Sequence, residues 1–90
     1  MSKTFRLIVS SPEGNLFDDQ AACVSLRGVE GELAIMAGHI PFITAFKAGD
    51  CRITLEDESL RIANTDGGLL TVSAGAVTVL SGSFRWKSSE

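Results

Sequence analysis

Apolar and polar residues alternate with a period of two over most of the chain, which is the pattern of half-buried β-strands. In one such segment, Cys51, Ile53 and Leu55 are expected on one face, with Arg52 and Thr54 on the other. Similar short segments, bounded by turn-forming residues, are expected at Phe5–Val9, Leu16–Phe17, Cys23–Leu26, Leu33–Ile35, Leu60–Ile62, Leu69–Val72 and Val77–Leu80. No segment has the 3.6-residue period of an amphipathic helix. The pattern predicts an all-β protein with about ten short antiparallel strands in a β-sandwich or flattened barrel.

The length of the chain allows one domain. At 90 residues, we expect it to occupy residues 1–84, followed by a short tail at 85–90. A chain this small has little interior, yet 44% of its residues are apolar and its mean hydropathy is +0.21. Part of the apolar surface is therefore expected to face a partner. The longest apolar runs are far shorter than the roughly 20 residues of a spanning helix, and the first residues lack the apolar core of a signal peptide, so no membrane insertion is expected.

The charge and the reactive residues exclude several classes of function. A net charge of −3 disfavours a nucleic-acid partner, because neutralising phosphates requires a basic surface. The two cysteines, Cys23 and Cys51, could pair, but reduced and buried thiols are the favoured expectation, since the sequence shows no secretion signal. The single histidine, His39, lacks the cysteine or histidine spacing of a zinc site and any recognisable nucleophile motif. We therefore expect no catalytic residue, no metal and no cofactor.

Residues 28–46 contain three glycines, two glutamates and the only histidine. Glu30 and Glu32 are two residues apart and point to the same side of an extended chain. They are compatible with a solvated turn, with an acidic spot for a basic partner, or with the paired carboxylates of a glycosidase. Pro41 restricts the backbone nearby and helps to make a stiff corner. Such a corner suits docking better than catalysis, which usually requires a pocket.

Two separated segments carry a family resemblance. Residues 29–49 read VEGELAIMAGHIPFITAFKAG, and residues 66–80 read DGGLLTVSAGAVTVL. In order and spacing they resemble the two signatures of the epsilon subunit of F-type rotary ATP synthases, called delta in mitochondria. The resemblance covers about residues 4–82. It implies a β-sandwich at the foot of the central stalk, acting as a non-catalytic rotor subunit that couples ion translocation to ATP synthesis.

The resemblance also implies two partner surfaces. The surface toward the ring of c subunits would contain Glu30, Gly31, Glu32 and Gly38. The surface toward the gamma subunit would contain Ser10, His39, Pro41 and Thr44. The expected location is peripheral, on the cytoplasmic face of the bacterial inner membrane, within the assembled complex.

The chain departs from the family pattern in a few places. Ala37 replaces the usual proline before the Gly-His pair, and Ala34 replaces the usual glycine after Gly-Glu-Leu. Members usually continue into a C-terminal helical hairpin that inhibits ATP hydrolysis and in some bacteria binds ATP, so both functions are expected to be missing here. Phe84 and Trp86 are two residues apart, and we expect them to cover sandwich surface that the hairpin would otherwise protect.

A small carbohydrate-binding β-sandwich module is the alternative interpretation. Such modules present exposed aromatic platforms on which sugars stack. This chain has five phenylalanines, one tryptophan and no tyrosine, and most of them occupy alternating core positions. The composition therefore favours the docking interpretation.

Overall fold

The computed structural model describes residues 3–38 and 40–87, and these residues form strands and turns without any helix. The seven strands are β1 (Phe5–Ser11), β2 (Gly14–Gly28), β3 (Gly31–Met36), β4 (Phe42–Leu55), β5 (Leu60–Val72), β6 (Ala76–Ser81) and β7 (Phe84–Trp86). The all-β class predicted from the alternation is confirmed. The described residues accordingly contain no helix long and apolar enough to cross a membrane.

The strands form one continuous sheet that closes on itself. Their order is β1-β6-β5-β4-β2-β3, and β1 also pairs with β2, which completes a ring of five strands. Strand β7 extends the sheet beside β5, and every pairing is antiparallel except that of β1 with β6. The ring is flattened into two layers, as expected for a β-sandwich.

Three long strands explain why seven strands are found where about ten were expected. Strands β2, β4 and β5 each run through both layers. The β3–β7 layer contains β3, residues 23–28 of β2, residues 51–55 of β4, residues 60–65 of β5, and β7. The β1–β6 layer contains residues 14–21 of β2, β1, β6, residues 68–72 of β5 and residues 42–46 of β4. Counted by halves, the strands number ten, which is the number that the sequence pattern indicated.

Glycines permit the bends of β4 and β5. Gly49 and Gly67 have φ of +152° and +104°, in the region that favours glycine. A Cβ on Gly67 would lie 2.9 Å from the carbonyl oxygen of Phe46 on the paired strand. The segments expected as separate strands at Leu60–Ile62 and Leu69–Val72 therefore belong to one strand, and Asp66-Gly67-Gly68 between them is a bend within β5.

The core lies between the two layers and consists of the inward positions of each strand. Its most deeply buried large side chains include Leu7, Val9, Val24, Leu26, Ile35, Ile53, Leu70 and Val79. Cys51 is fully buried among them, whereas Cys23 is only half-buried on an outward position of β2, and both thiols are free. The alternation thus assigned the inward and outward faces of most strands correctly. The expectation that Cys23 is buried is wrong, because this residue lies on the outer face of β2.

A buried polar cluster stabilises the connection between β6 and β7. The hydroxyls of Thr65 and Ser81 share a hydrogen bond of 2.6 Å, and the Ser81 hydroxyl also lies 2.7 Å from the carbonyl oxygen of Ser83. The backbone N–H of Ser83 donates to the carboxylate of Asp66 at 3.1 Å. These bonds satisfy polar groups that would otherwise be costly to bury.

An aromatic cluster attaches β7 to the barrel. Phe84 and Trp86 share a face, as their spacing predicts, with ring centroids 5.3 Å apart, and Trp86 lies 6.1 Å from the ring of Phe17 on β2. The Arg61 guanidinium carbon lies 4.0 Å from the centre of the Trp86 ring. Strand β7 reaches Trp86 and so extends two residues into the segment expected as a tail.

Candidate partner-binding surfaces

The β2–β3 hairpin turn contains the predicted acidic corner. Val29 and Glu30 form a two-residue turn between Gly28 and Gly31, which pair with each other. A Cβ on Gly28 would lie 2.7 Å from the Gly31 carbonyl oxygen, and Gly31 has φ of +134°. Both positions therefore require glycine, and the turn is tight because of them.

The two glutamates occupy open positions on this corner. Glu30 is exposed at the turn, and Glu32 is exposed on the outer face of β3, directly opposite Arg27 on β2. The sequence grouped both with Gly31, and the structure brings these three residues together.

A groove begins at this turn and runs along the outer face of the β3–β7 layer to the bend of β4. It has a volume of about 690 Å³. We call it the turn groove. The charged residues that line it are Arg27, Lys47, Arg52, Glu30, Glu32 and Asp50. The corner is therefore not simply acidic, since cations from β2 and β4 lie beside the glutamates.

Gly38 lies away from this corner. It follows the opposite end of β3, and Gly31 and Met36 at the two ends are separated by about 17 Å of extended chain. Gly38, with φ of +91°, lines a separate hollow together with residues 72–77 of the β5–β6 turn. The structure therefore does not bring Gly38 together with Glu30, Gly31 and Glu32.

The residues predicted for the gamma side lie in different positions. Ser10 is on the outer face of β1 and donates a hydrogen bond to the side-chain oxygen of Asn15. Thr44 shares the inward phase of β4 with buried Phe46, and its hydroxyl donates to a backbone carbonyl at 3.2 Å. Pro41 is exposed just before β4, and His39 lies outside the described residues. Ser10 and Thr44 therefore point to opposite faces of the layer.

An apolar surface missed by the sequence interpretation covers the outer face of the β1–β6 layer. Three exposed side chains form its centre: Ile43 (69% exposed), Leu69 (47%) and Leu80 (43%). The strand registers place Ser10, Leu80, Leu69 and Ala45 in one row, and Ile8, Thr78, Thr71 and Ile43 in the next. We call these eight residues the apolar face.

The apolar face includes a shallow hollow beside Leu69 and Leu80. Its volume is about 380 Å³, and residues 10–12 and glycines 68 and 82 complete its walls. Two pairs of consecutive apolar residues, Leu69-Leu70 and Val79-Leu80, interrupt the alternation of apolar and polar residues along β5 and β6. That interruption is the sequence signal that could have identified the face, because an outward position of a half-buried strand is normally polar.

The two thiols are both shifted toward the protonated form. Burial raises the pKa of the Cys51 thiol to about 12, while burial and the nearby Glu32 carboxylate raise the pKa of Cys23. Both thiols are therefore protonated, and weakly nucleophilic, near neutral pH. Residues 3–38 and 40–87 contain no group of three histidine, cysteine or carboxylate side chains placed to hold a metal. Trp86 is not an open stacking platform for sugars, because Arg61 lies against its ring.

The fold and surfaces define a small closed β-sandwich with an exposed apolar face on one layer and a charged groove on the other. The sequence matches, over residues 4–87, the family described as the β-sandwich domain of the ATP synthase delta/epsilon chain. The chain belongs to this family, which confirms the resemblance carried by residues 29–49 and 66–80.

Known relatives show the same similarity. The chain is 36% identical over 86 residues to the sodium-ion-specific ATP synthase epsilon chain of Acetobacterium woodii, covering 96% of this chain and 65% of that relative. Its fold is similar to a chain in the mitochondrial ATP synthase of Euglena gracilis (OSCP/F1/c-ring; TM-score 0.86, 19% identity, 92% of this chain and 53% of that chain). It is also similar to a chain in the central stalk/c-ring of the Tetrahymena thermophila mitochondrial ATP synthase (TM-score 0.75, 11% identity, 92% of this chain and 66% of that one). The chain thus spans about two thirds or less of the length of these proteins.

Proposed function

We propose that this protein is a non-catalytic rotor subunit of an F-type ATP synthase that holds the gamma subunit on the ring of c subunits. The observation that carries the proposal is the apolar face on a domain of the delta/epsilon family. A soluble domain rarely leaves several adjacent large aliphatic side chains exposed unless a partner covers them. The similarity to chains from central-stalk and c-ring assemblies supports the same role.

The gamma subunit is the partner proposed for the apolar face. Ile43, Leu69 and Leu80 provide the contact area, and Ser10 lies at its edge on β1. Pro41 precedes the strand that carries Ile43 and therefore lies on the β4 side of the face, across it from Ser10. Thr44 supports this contact from the inner side of β4 rather than by touching gamma. His39, between Gly38 and Ile40 in the sequence, remains a proposed member of the gamma side.

The ring of c subunits is the partner proposed for the opposite layer. Glu30, Gly31 and Glu32 project at the β2–β3 turn, where polar loops of a ring can reach them. Gly38 was grouped with this corner from the sequence, and we now assign it to the shape of the turn at the other end of β3. Through these partners the protein would lie peripherally on the cytoplasmic face of a bacterial inner membrane.

Co-purification tests the proposed role directly. The tagged chain is expressed together with the gamma subunit of the same organism and purified at low and at moderate salt. We expect gamma to be retained at both, because the contact is apolar and salt screens it little. Leu80→Glu should release gamma, since it places a charge in the centre of the contact. Val29→Glu is the matched control, because Val29 is 54% exposed but lies at the β2–β3 turn. Failure of the unaltered chain to retain gamma would refute the proposal.

A further inference from the structure

Among the described residues, the cations of the turn groove form no salt bridge at contact distance. The ion pairs in that part of the chain are Arg6–Asp18 and Lys87–Asp50. Neither includes Arg27, Lys47 or Arg52, although all three cations line the same groove. Unpaired charges that converge on a concave surface of a chain with a net charge of −3 are available to a partner.

Arg27 is held at the groove by the bend of β4. A Cβ on Gly49 would lie 3.3 Å from Cδ of Arg27 and 3.5 Å from its Cβ. The stem of the arginine therefore lies directly over the bare backbone of Gly49, which has φ of +152°. This packing restricts the stem of Arg27 at the wall of the groove, which reduces the entropy lost when a partner binds.

Arg52 lies next to Arg27 on the neighbouring strand. It is opposite Ser25, two residues along β2 from Arg27, and is exposed. The acid beside it, Asp50, accepts hydrogen bonds from Asn64 at 3.5 Å and from Lys87 at 3.4 Å. Lys87 therefore makes the direct contact with Asp50, and Arg52 acts on that carboxylate only through its charge, which leaves its guanidinium donors open to an external anion.

The other side of the groove has the opposite sign. Glu30 and Glu32 are exposed at the turn and on β3, on either side of Gly31. A partner segment that carried only positive charge would be attracted to these glutamates but repelled by Arg27 and Arg52. Like charges brought together across an interface cost several kcal/mol, so a purely basic partner segment fits the groove poorly.

We propose that the turn groove binds a protein loop that carries both a cation and a carboxylate, with the cation toward Glu30 and Glu32 and the carboxylate between Arg27 and Arg52. The inference rests on the proposed function and deepens it, because it specifies the charge pattern that the polar loops of the c-ring must present. It also replaces the expectation of a purely acidic corner, under which the arginines would have no role in docking.

Binding of the preformed complex between this chain and gamma to detergent-solubilised c-ring tests the inference. Arg52→Glu and Glu32→Lys should each weaken binding to the ring by about tenfold at low salt, and Arg52→Gln by about threefold. Arg85→Glu and Glu56→Lys are matched controls, since both residues are exposed and neither lines the groove. The affinity for gamma should remain within about twofold of the unaltered chain for all five variants, because gamma is assigned to the other layer.

The outcomes separate this inference from the proposed function. A loss of ring binding in both groove reversals, with gamma binding intact and both controls unaffected, supports a groove of two signs. A loss in Glu32→Lys with Arg52→Glu and Arg52→Gln unchanged overturns it in favour of an acidic corner. A loss in Arg85→Glu equal to that in Arg52→Glu also overturns it, since the effect would then follow net charge. If the unaltered chain does not bind gamma, the proposed function itself has failed.

Discussion

Truncating Ile43 to alanine should weaken binding to gamma more than truncating Leu80, whereas truncating Leu80 should lower the free energy of unfolding more than truncating Ile43. Burying a whole leucine or isoleucine side chain contributes about 2 kcal/mol. Ile43 is 69% exposed, so about 1.4 kcal/mol remains available to a partner and about 0.6 kcal/mol already supports the fold. Leu80 is 43% exposed, which leaves about 0.9 kcal/mol for binding and about 1.1 kcal/mol in the fold.

These contributions to binding and to folding convert into measurable changes in affinity and stability. Ile43→Ala should weaken the affinity for gamma by about tenfold and Leu80→Ala by about fivefold. Urea unfolding should show the reverse order, with Leu80→Ala the more destabilised of the two. Val29→Ala removes an aliphatic side chain of similar exposure from the β2–β3 turn and should leave gamma binding unchanged.

Titration of gamma into each variant, together with urea unfolding of the same samples, provides both measurements. Binding losses that follow the order of the stability losses would refute the reasoning, since the variants would then act through the fold. Unchanged binding in both Ile43→Ala and Leu80→Ala would show that gamma does not use the apolar face.

Three further predictions concern the fold itself. Gly68→Ala should destabilise by about 3 kcal/mol or more in urea, because its Cβ would overlap a carbonyl oxygen of β6, whereas Gly75→Ala meets no atom within 4 Å and should change the free energy of unfolding little. The pKa of Cys51 is raised by burial from 9.0 to about 12, so stability should fall by about 1.4 kcal/mol per pH unit above pH 9, and less steeply in Cys51→Ala. Arg61→Gln should shift the emission of Trp86 to longer wavelength and cost about 0.5–1 kcal/mol in unfolding, because the guanidinium covers the ring.

Each of these has a result that would contradict it. Equal stability of the two glycine variants would mean that β5 and β6 are not packed as closely as described. An identical alkaline slope in the unaltered chain and Cys51→Ala would show that other groups cause the loss. In the unaltered chain, Trp86 emission typical of full exposure to water would exclude the aromatic cluster.

The sequence predicted the fold class because period-two alternation directly reflects which side of a strand is buried. As their spacing indicates, Cys51 and Ile53 lie in the core, and Leu55 is partly buried against it. The sequence placed a break between strands at Gly67, where the structure has a bend within β5. Glycine is common in both turns and bends, so its presence alone does not distinguish them. Whether the chain reverses or continues depends on pairing with β4, which is a long-range property.

The candidate site was predictable only where neighbours in sequence are neighbours in space. Glu30, Gly31 and Glu32 lie on one hairpin and were grouped correctly. Gly38 is close to them in sequence but lies beyond the other end of β3, so its distance depends on the direction of the strand. The cations of the groove come from β2 and β4, and only the register between these strands brings Arg27 and Arg52 together.

The passage of β2, β4 and β5 through both layers has a mechanical consequence. The two proposed contacts lie on opposite layers, so a twisting load entering at one must cross the domain to leave at the other. In a sandwich joined only by side-chain packing, such a load could slide one sheet over its neighbour. Here three unbroken backbones cross between the sheets, and shear would have to deform covalent chain and its hydrogen-bonded ladders. The continuous strands therefore make the two layers resist shear as one body.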